Sequence, residues 1–350
     1  MRHTLGLVVV IAAVATSSLQ AEEIRDTLVV TASRIPVPLV AAGSSVSVID
    51  REQIEARQVT FAVDLLRDVP GFAVSQSGSI GAQTQIRVRG SEANQLLVLI
   101  DGIEANDPAG NDEFAFQDLT TWDVERIEVV RGPQSALWGS DALAGVVNVI
   151  TRQPTDKFAV DGFAEGGAFD STVIGGRIAG KVGGARAGLS LSRLNSNGSN
   201  SSRTGDEDDG YENTTATLTL AGSPSAALDL NFVGRYTDTT KAFDGTDFGT
   251  GLPADSRNET DVDLGYLRAG GTLTLLDGHW TQSLRTAWTI TDTKNVDEFG
   301  SAGSTAADKY GVYYQTTWQF TRKLGVKDPA VVPLVGGGDI TIALVGGNVD

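Results

Sequence analysis

The residues best placed to do chemistry are acids. Asp206, Glu207, Asp208 and Asp209 stand in a row, and Asp244, Asp247 and Asp255 follow in the next polar stretch, so two neighbouring segments concentrate hard oxygen ligands. Calcium takes about six to eight such oxygens, and a cluster of this kind suits it. The row departs from the helix-loop-helix calcium pattern, because Gly205 stands where that pattern begins with Asp. Two acids from the same set would also equip an exported, carboxylate-dependent glycosidase. Other catalytic outfits are missing. The chain has no Cys and only two His, of which His3 lies in a leader and His279 in a turn. No disulfide, thiolate metal site, Ser-His-Asp or Cys-His arrangement can be assembled. A net charge of −17 repels phosphate backbones and excludes nucleic acid as a partner.

The elements that must position these acids fall into blocks. Residues 1–21 read as a signal peptide: Arg2 and His3 open it, an apolar run covers 5–14, and Ala21 precedes Glu22 and Glu23. The mature chain is therefore exported. No other stretch approaches the ~20 apolar residues of a membrane helix. Residues 22–154 mix two signals. Helices are expected from Asp50 to Ile54 and from Phe61 to Leu66, the second stopping at Pro70 and Gly71. Strands are expected at 85–89, at 96–100 before an Asp101-Gly102 turn, and at 126–130.

Past Thr155 the texture changes to alternation at period two. Nine strands are expected, near 158–164, 173–182, 187–194, 215–221, 228–237, 262–275, 280–291, 310–320 and 340–349. Their connections alternate between tight turns, such as Gly183-Gly184 and Asp277-Gly278, and long polar stretches at 195–213, 238–261 and 293–309. Short turns on one rim and long loops on the other are the pattern of an outer-membrane barrel. Trp280 and Trp288 share a face eight residues apart, roughly 26 Å at ~3.3 Å per residue, which suits an aromatic belt at each edge of an apolar band ~25 Å tall.

Three segments carry a family resemblance. Asp26, Thr27, Leu28, Val29, Val30 and Thr31, running on to Ala32, Ser33 and Arg34, are similar to the energy-coupling box of TonB-dependent outer-membrane transporters. Leu97-Val98-Leu99-Ile100-Asp101-Gly102 and the stretch from Arg131-Gly132-Pro133 to Asp141-Ala142 resemble that family's plug signatures, with Gly145 to Thr151 following in order. The chain most resembles the cobalamin-receptor branch. The resemblance implies a signal peptide at 1–21, a periplasmic tether with the coupling box at 22–38, an α+β plug at 39–154 and the first part of an antiparallel transmembrane β-barrel at 155–350, in the outer membrane and among its lipids.

The same resemblance implies active uptake without covalent chemistry, powered by the partner TonB. The β-branched box, as an exposed extended peptide, would add itself to a sheet edge of that partner; an internal plug strand is the other reading. Arg87, Arg89 and Arg131 either brace the plug or pair with acids on the inner barrel wall. Substrate contacts are expected from two plug loops: Ser77, Ser79 and Gln83 in the first, and Asn106, Asn111, Phe114 and Phe116 in the second. Neutral donors with aromatics suit cobalamin better than an anionic iron chelate, which calls for an Arg cluster. Calcium would be held by Glu207, Asp209, Asp244 and Asp255. Length adds one expectation: the ~22 strands of a plugged barrel need more residues than 155–350 supply, so about nine of them, the N-terminal part of a transporter, are present.

Overall fold

A computed structural model of the chain describes residues 28, 29, 31, 37–39, 42–203, 205–319, 331–334 and 340–346. The expected leader, and Asp26, Thr27 and Val30 of the coupling box, lie outside the described residues. The first described elements are two short strands, β1 (Leu28–Val29) and β2 (Val37–Pro38), paired antiparallel.

Strand β3 (Ser45–Asp50) runs straight into helix α1 (Arg51–Arg57) because Asp50 caps it. The Asp50 carboxylate accepts from the Gln53 N–H at 2.9 Å while the Gln53 side chain accepts from the Asp50 N–H, a reciprocal cap that satisfies two donors the helix leaves open. Helix α2 (Ala62–Leu66) buries Ala62, Val63, Leu65 and Leu66 and ends ahead of Pro70 and Gly71, as expected. A hairpin follows, β4 (Phe72–Gln76) with β5 (Thr84–Val88), and its tip is the first expected substrate loop. Strand β6 (Leu96–Ile100) is buried at every residue and lies parallel to β9 (Gly145–Thr151), the position in which a continuous apolar run is at home. Asp101 and Gly102, both at positive φ, turn the chain into β7 (Ile103–Glu104), and Thr151 donates twice to the Asp101 carboxylate. With β8 (Val124–Arg131) these form one five-stranded sheet in the order β3-β8-β9-β6-β7; a one-turn helix, α3 (Ser135–Trp138), links β8 to β9.

The rest is a single meandering wall. Strands β10 (Ala159–Gly166), β11 (Thr172–Val182), β12 (Ala185–Ser196), β13 (Tyr211–Ser225), β14 (Leu228–Thr246), β15 (Pro253–Leu275), β16 (Trp280–Val296) and β17 (Ala302–Gln319) each pair antiparallel with the next. All nine expected strands are there. One was not foreseen: β18 (Val331–Leu334) precedes β19 (Ile340–Gly346), and both pair with β17. Two of the three expected long loops are corrected. The β14-β15 ladder runs on to Thr246 opposite Pro253, and the β16-β17 ladder to Val296 opposite Ala302, so most of those polar stretches are strand. Crossing hydrocarbon takes only about 9–11 residues. Beyond that height both faces meet water or plug, apolar alternation disappears, and the sequence reads as loop although the ladder continues.

Outward-facing Leu189, Leu191, Leu218, Leu230, Leu284 and Val312 are exposed, giving the wall its apolar band. Trp280 stacks on Trp318 at 5.0 Å and Trp288 on Tyr310 at 5.4 Å, so the two expected tryptophans each head a cross-strand aromatic pair on this face. Inward-facing Thr217, Thr219, Thr237, Thr289 and Thr291 are buried against the plug. No helix among the described residues is long and apolar enough to cross a membrane; here the strands cross.

Charged groups seat the plug on the wall, and of the two alternatives for Arg87, Arg89 and Arg131 the plug-bracing one matches their contacts. In the buried pairs the plug supplies the acids. Arg235 of β14 bonds Asp123, which also accepts from the Thr217 hydroxyl at 2.5 Å; Lys241 lies 3.5 Å from Asp118, and Lys309 of β17 lies 2.8 Å from Glu104. The three arginines named above stay within the plug: Arg87 faces Glu92 at 3.7 Å, Arg131 donates to the Pro70 carbonyl and the Ser47 hydroxyl, and Arg89 packs over Gly71. Arg152 is a plug arginine that reaches the wall, 3.1 Å from Asp161 of β10.

Candidate functional site

The β4-β5 hairpin brings its tip to the loop-bearing rim, where a cavity of about 510 Å³ opens between plug and wall. Ser77, Ser79 and Gln83 line it from the plug, with Gln117 beside them; Ser201, Asp209, Lys241, Asp244 and Thr260 line it from the wall. The first expected loop therefore faces the acidic segments directly. Lys241 is the one cation among these lining residues, and its ammonium is turned to Asp118 of the plug.

The four residues expected from the second loop lie off this cavity. Asn106 is fully buried; its amide donates to the Leu96 and Asp112 carbonyls and accepts from the Val98 N–H, which fastens the loop to β6. Phe114 and Phe116 pack edge to face at 4.8 Å inside the plug core. Asn111 is exposed, at a positive φ in a turn, away from the cavity lining. None of these four can contact a ligand in the cavity as they stand. Gln117, the last residue of that expected loop (106–117), lines it, and so does Lys241, which sequence reasoning missed.

The acids converge. Glu207, Asp244 and Asp255 each offer a carboxylate oxygen within 4.8 Å of the others, although Asp244 and Asp255 come from strands on either side of a turn and Glu207 from the loop before β13. Asp209 is buried beside them, one oxygen accepting from the Ser201 N–H and hydroxyl at 2.9 and 2.6 Å. Asp255 accepts from Asn200 at 2.6 Å and Asp244 from the Ser256 N–H at 3.0 Å. Glu207 Oε2, Asp209 Oδ1 and Asp244 Oδ2 are buried with no hydrogen-bond partner. A Cβ on Gly205 would stand 2.0 Å from the Asp255 carboxyl, so only glycine lets the loop close on it. Burial, then the charges of Asp209, Asp244 and Asp255, raise the Glu207 carboxyl above its ordinary range, with Arg257 opposing. Burial likewise raises Asp209, against its two bonds from Ser201. Orphaned hard oxygens and mutual repulsion are what a divalent cation would relieve, and the donor set fits calcium.

At the start of the described chain the segment expected to be the coupling box is partly held. Val29 and Thr31 are fully buried, not exposed as expected. The Thr31 N–H and hydroxyl donate to Glu128 Oε2 at 3.0 and 2.7 Å, its carbonyl accepts from the Trp138 indole at 2.9 Å, and its hydroxyl accepts from Asn148 at 3.2 Å. These partners lie on β8, α3 and β9, so the segment is clasped to the plug sheet.

Residues 38–146 match the family model described as the TonB-dependent Receptor Plug Domain. A vitamin B12 transporter, BtuB, of Vibrio vulnificus is 44% identical over 137 residues, 39% of this chain and 22% of that protein. The BtuB of Photobacterium profundum is 29% identical over 304 residues, 86% of this chain and 48% of that protein. Over 86% of its length the chain is similar to proteins of this TonB-dependent kind, and residues 38–146 carry the family's plug domain. The chain spans less than half the length of these two relatives. Among solved structures, the ferripyoverdine receptor of the outer membrane of Pseudomonas aeruginosa superposes with a TM-score of 0.68 at 16% identity, over 84% of this chain and 42% of that one. The siderophore receptor PiuA of Acinetobacter baumannii gives 0.64 at 18%, over 85% and 46%. At such identities these receptors attest the fold: a plug beside part of an outer-membrane barrel. These relatives are named as transporters and receptors, which lends the glycosidase alternative no support. The chain's place is the outer membrane.

Proposed function

We propose that the chain takes part in TonB-dependent uptake of a corrinoid of the vitamin B12 class, bound in the rim cavity and pulled through by way of Asp26, Thr27, Leu28, Val29, Val30 and Thr31. The observation that carries the substrate is the cavity's lining. Ser77, Ser79, Gln83 and Gln117 offer neutral hydrogen-bonding groups, and no arginine is among the lining residues. A ferric siderophore is the second reading, favoured by the fold neighbours. It would need cationic partners, and the cavity's one lysine is already paired with Asp118. The relatives' names also favour the corrinoid.

Calcium would be held by Glu207, Asp209, Asp244 and Asp255, where its charge would let the two acidic segments converge at the cavity mouth. Coupling would draw on the Thr31 clasp: TonB would take the box as an added strand, and a pull along it would load Glu128, Trp138 and Asn148 within the plug. The test has two arms. Titration of outer membranes with cyanocobalamin and with ferric chelates should show saturable binding of the corrinoid alone; preference for a chelate would overturn the substrate. Val29→Pro removes a strand donor and should abolish uptake while sparing binding. Uptake that persists in that variant would overturn the coupling role.

A further inference from the structure

We infer that Tyr211 is a positioning residue: the strut through which the acidic wall loop sets the plug loop of the ligand cavity. The inference rests on reading that cavity as the ligand site. Tyr211 opens β13, two residues after Asp209, and pairs across the wall with Ser196 on one side and Lys241 on the other. Its side chain is 1% exposed and crosses from the wall into the plug. There it meets Gly81, where an added Cβ would lie 2.1 Å from the tyrosine ring; Gly81 also holds a φ of +80°, so the loop tip is shaped to take that ring face. Phe61 closes the other side, edge to face at 5.9 Å.

The hydroxyl makes a second hold. It donates to the Gln117 carbonyl at 2.9 Å and accepts from Asn213 at 3.2 Å. The Gln117 side chain in turn accepts from the Thr84 N–H at 3.1 Å, at the base of the same plug loop. One residue thus grips the loop at its tip through the ring and at its base through Gln117. At its own end it is fixed by the strand that Asp209 leads into, and Asp244 follows three residues after its partner Lys241. Any shift of the acidic segments therefore reaches Ser77 and Ser79 through a rigid aromatic body rather than through solvent.

The absence of cysteine allows single spin labels in the receptor in outer membranes. Labels at Ser77→Cys in the cavity loop, Arg203→Cys in the acidic loop and Ser140→Cys beside the Thr31 clasp report three places. Tyr211→Ala should remove the immobile component of the Ser77 spectrum and leave Ser140 unchanged, without metal. Tyr211→Phe, which keeps the ring, should retain most of it. Gly81→Ala attacks the same contact from the plug side; it should free Ser77 in the parent and add nothing in the Tyr211→Ala background. With calcium, both Arg203 and Ser77 should become less mobile in the parent, and Arg203 alone in Tyr211→Ala. An unchanged Ser77 spectrum in Tyr211→Ala, or equal loosening at Ser77 and Ser140, would overturn the strut. A parent Arg203 label that ignores calcium would overturn the calcium reading instead, the metal-free comparison still deciding for or against Tyr211.

Discussion

Glu128→Gln should loosen the coupling segment by an amount that the clasp geometry sets. Glu128 is fully buried, and its Oε2 accepts both the Thr31 N–H and the Thr31 hydroxyl while Oε1 faces Arg126 at 2.9 Å. Hydrogen bonds to a charged group contribute about 1.5–3 kcal/mol each, roughly twice their neutral counterparts. Glutamine keeps the shape and one carbonyl acceptor but loses the charge, so halving two bonds costs about 1.5–3 kcal/mol in all. Arg126 keeps access to water at 29% exposure, so its lost partner adds little. At 1.4 kcal/mol per decade, the undocked population should rise roughly 10- to 150-fold. Val29→Cys provides the readout: it is a single thiol at a buried position, and its modification rate follows the open population when reclosing is fast. Asn148→Ala, which removes one neutral donor, should raise the rate about 2- to 12-fold. A Glu128→Gln protein that labels at the parental rate would show that the clasp does not hold the segment.

Asp123→Asn leaves Arg235 buried against a neutral partner; the plug should become easier to release by about 3–5 kcal/mol, read as a lower urea midpoint for protease cleavage within the plug, with no shift disproving the pair's role. Calcium binding followed by calorimetry should vanish in Asp209→Asn with Asp244→Asn, and heat unchanged from the parent would dismiss the site. Its affinity should also fall with pH earlier than ordinary carboxylates dictate. Glu207 and Asp209 hold raised values, so the metal-free loop is steadier below the ordinary carboxylate range and loses that stability as pH rises through the raised values, where deprotonated oxygens become available to the ion. An affinity flat from neutral pH down to the ordinary range would contradict this. Leu284→Arg, on the lipid face between the two tryptophan pairs, should cost about 2–4 kcal/mol of wall stability in bilayer refolding titrations; a neutral result would mean that face does not meet lipid.

How much of this was legible in the sequence differs by element. The wall was, because Leu218, Leu220 and Leu230 alternate with Thr217, Thr219 and Asn231, and period two has one structural meaning at this length. The cap at Asp50 was, because Gln53 stands three residues on. The second plug loop was not. An Asn and two Phe among Gly, Asp and Ala look like a contact surface, yet the Asn106 amide is taken up by β6 carbonyls and amides, a demand visible only once β6 is known to pass beside it. That the acids would meet was expected from their order on two neighbouring segments and from the family resemblance, while the fit of Gly205 against Asp255, fifty residues apart, was not. Tyr211 gave no signal at all: its partners Gly81 and Gln117 lie 130 and 94 residues away, and nothing local marks an aromatic that crosses from wall to plug.

The charge pairs between plug and wall have a consequence for how a plug can be both seated and withdrawn. Stripping water from Arg235 and Asp123, or from Lys309 and Glu104, costs nearly what their attraction returns, so an apolar seam of equal area would hold at least as well. What the pairs add is register. A plug displaced by one residue along β14 or β17 would leave each cation buried beside threonine and each acid without a partner, at about 3–5 kcal/mol apiece. Little net binding together with a steep penalty for the wrong seat gives one docked position and a modest total to overcome once water reaches the pairs. The apolar cluster of the plug continues onto the wall at Val262, Leu264, Tyr266, Ala287 and Tyr313, on β15, β16 and β17. Those strands form the firmer side. Where β13 and β14 meet the plug, the contacts are charge pairs and hydrogen bonds at Asp118 and Asp123, with one aromatic contact, the Tyr211 ring against Phe61 and Gly81. Opening is therefore expected to begin along β13 and β14, beneath the cavity, and not along β15 to β17.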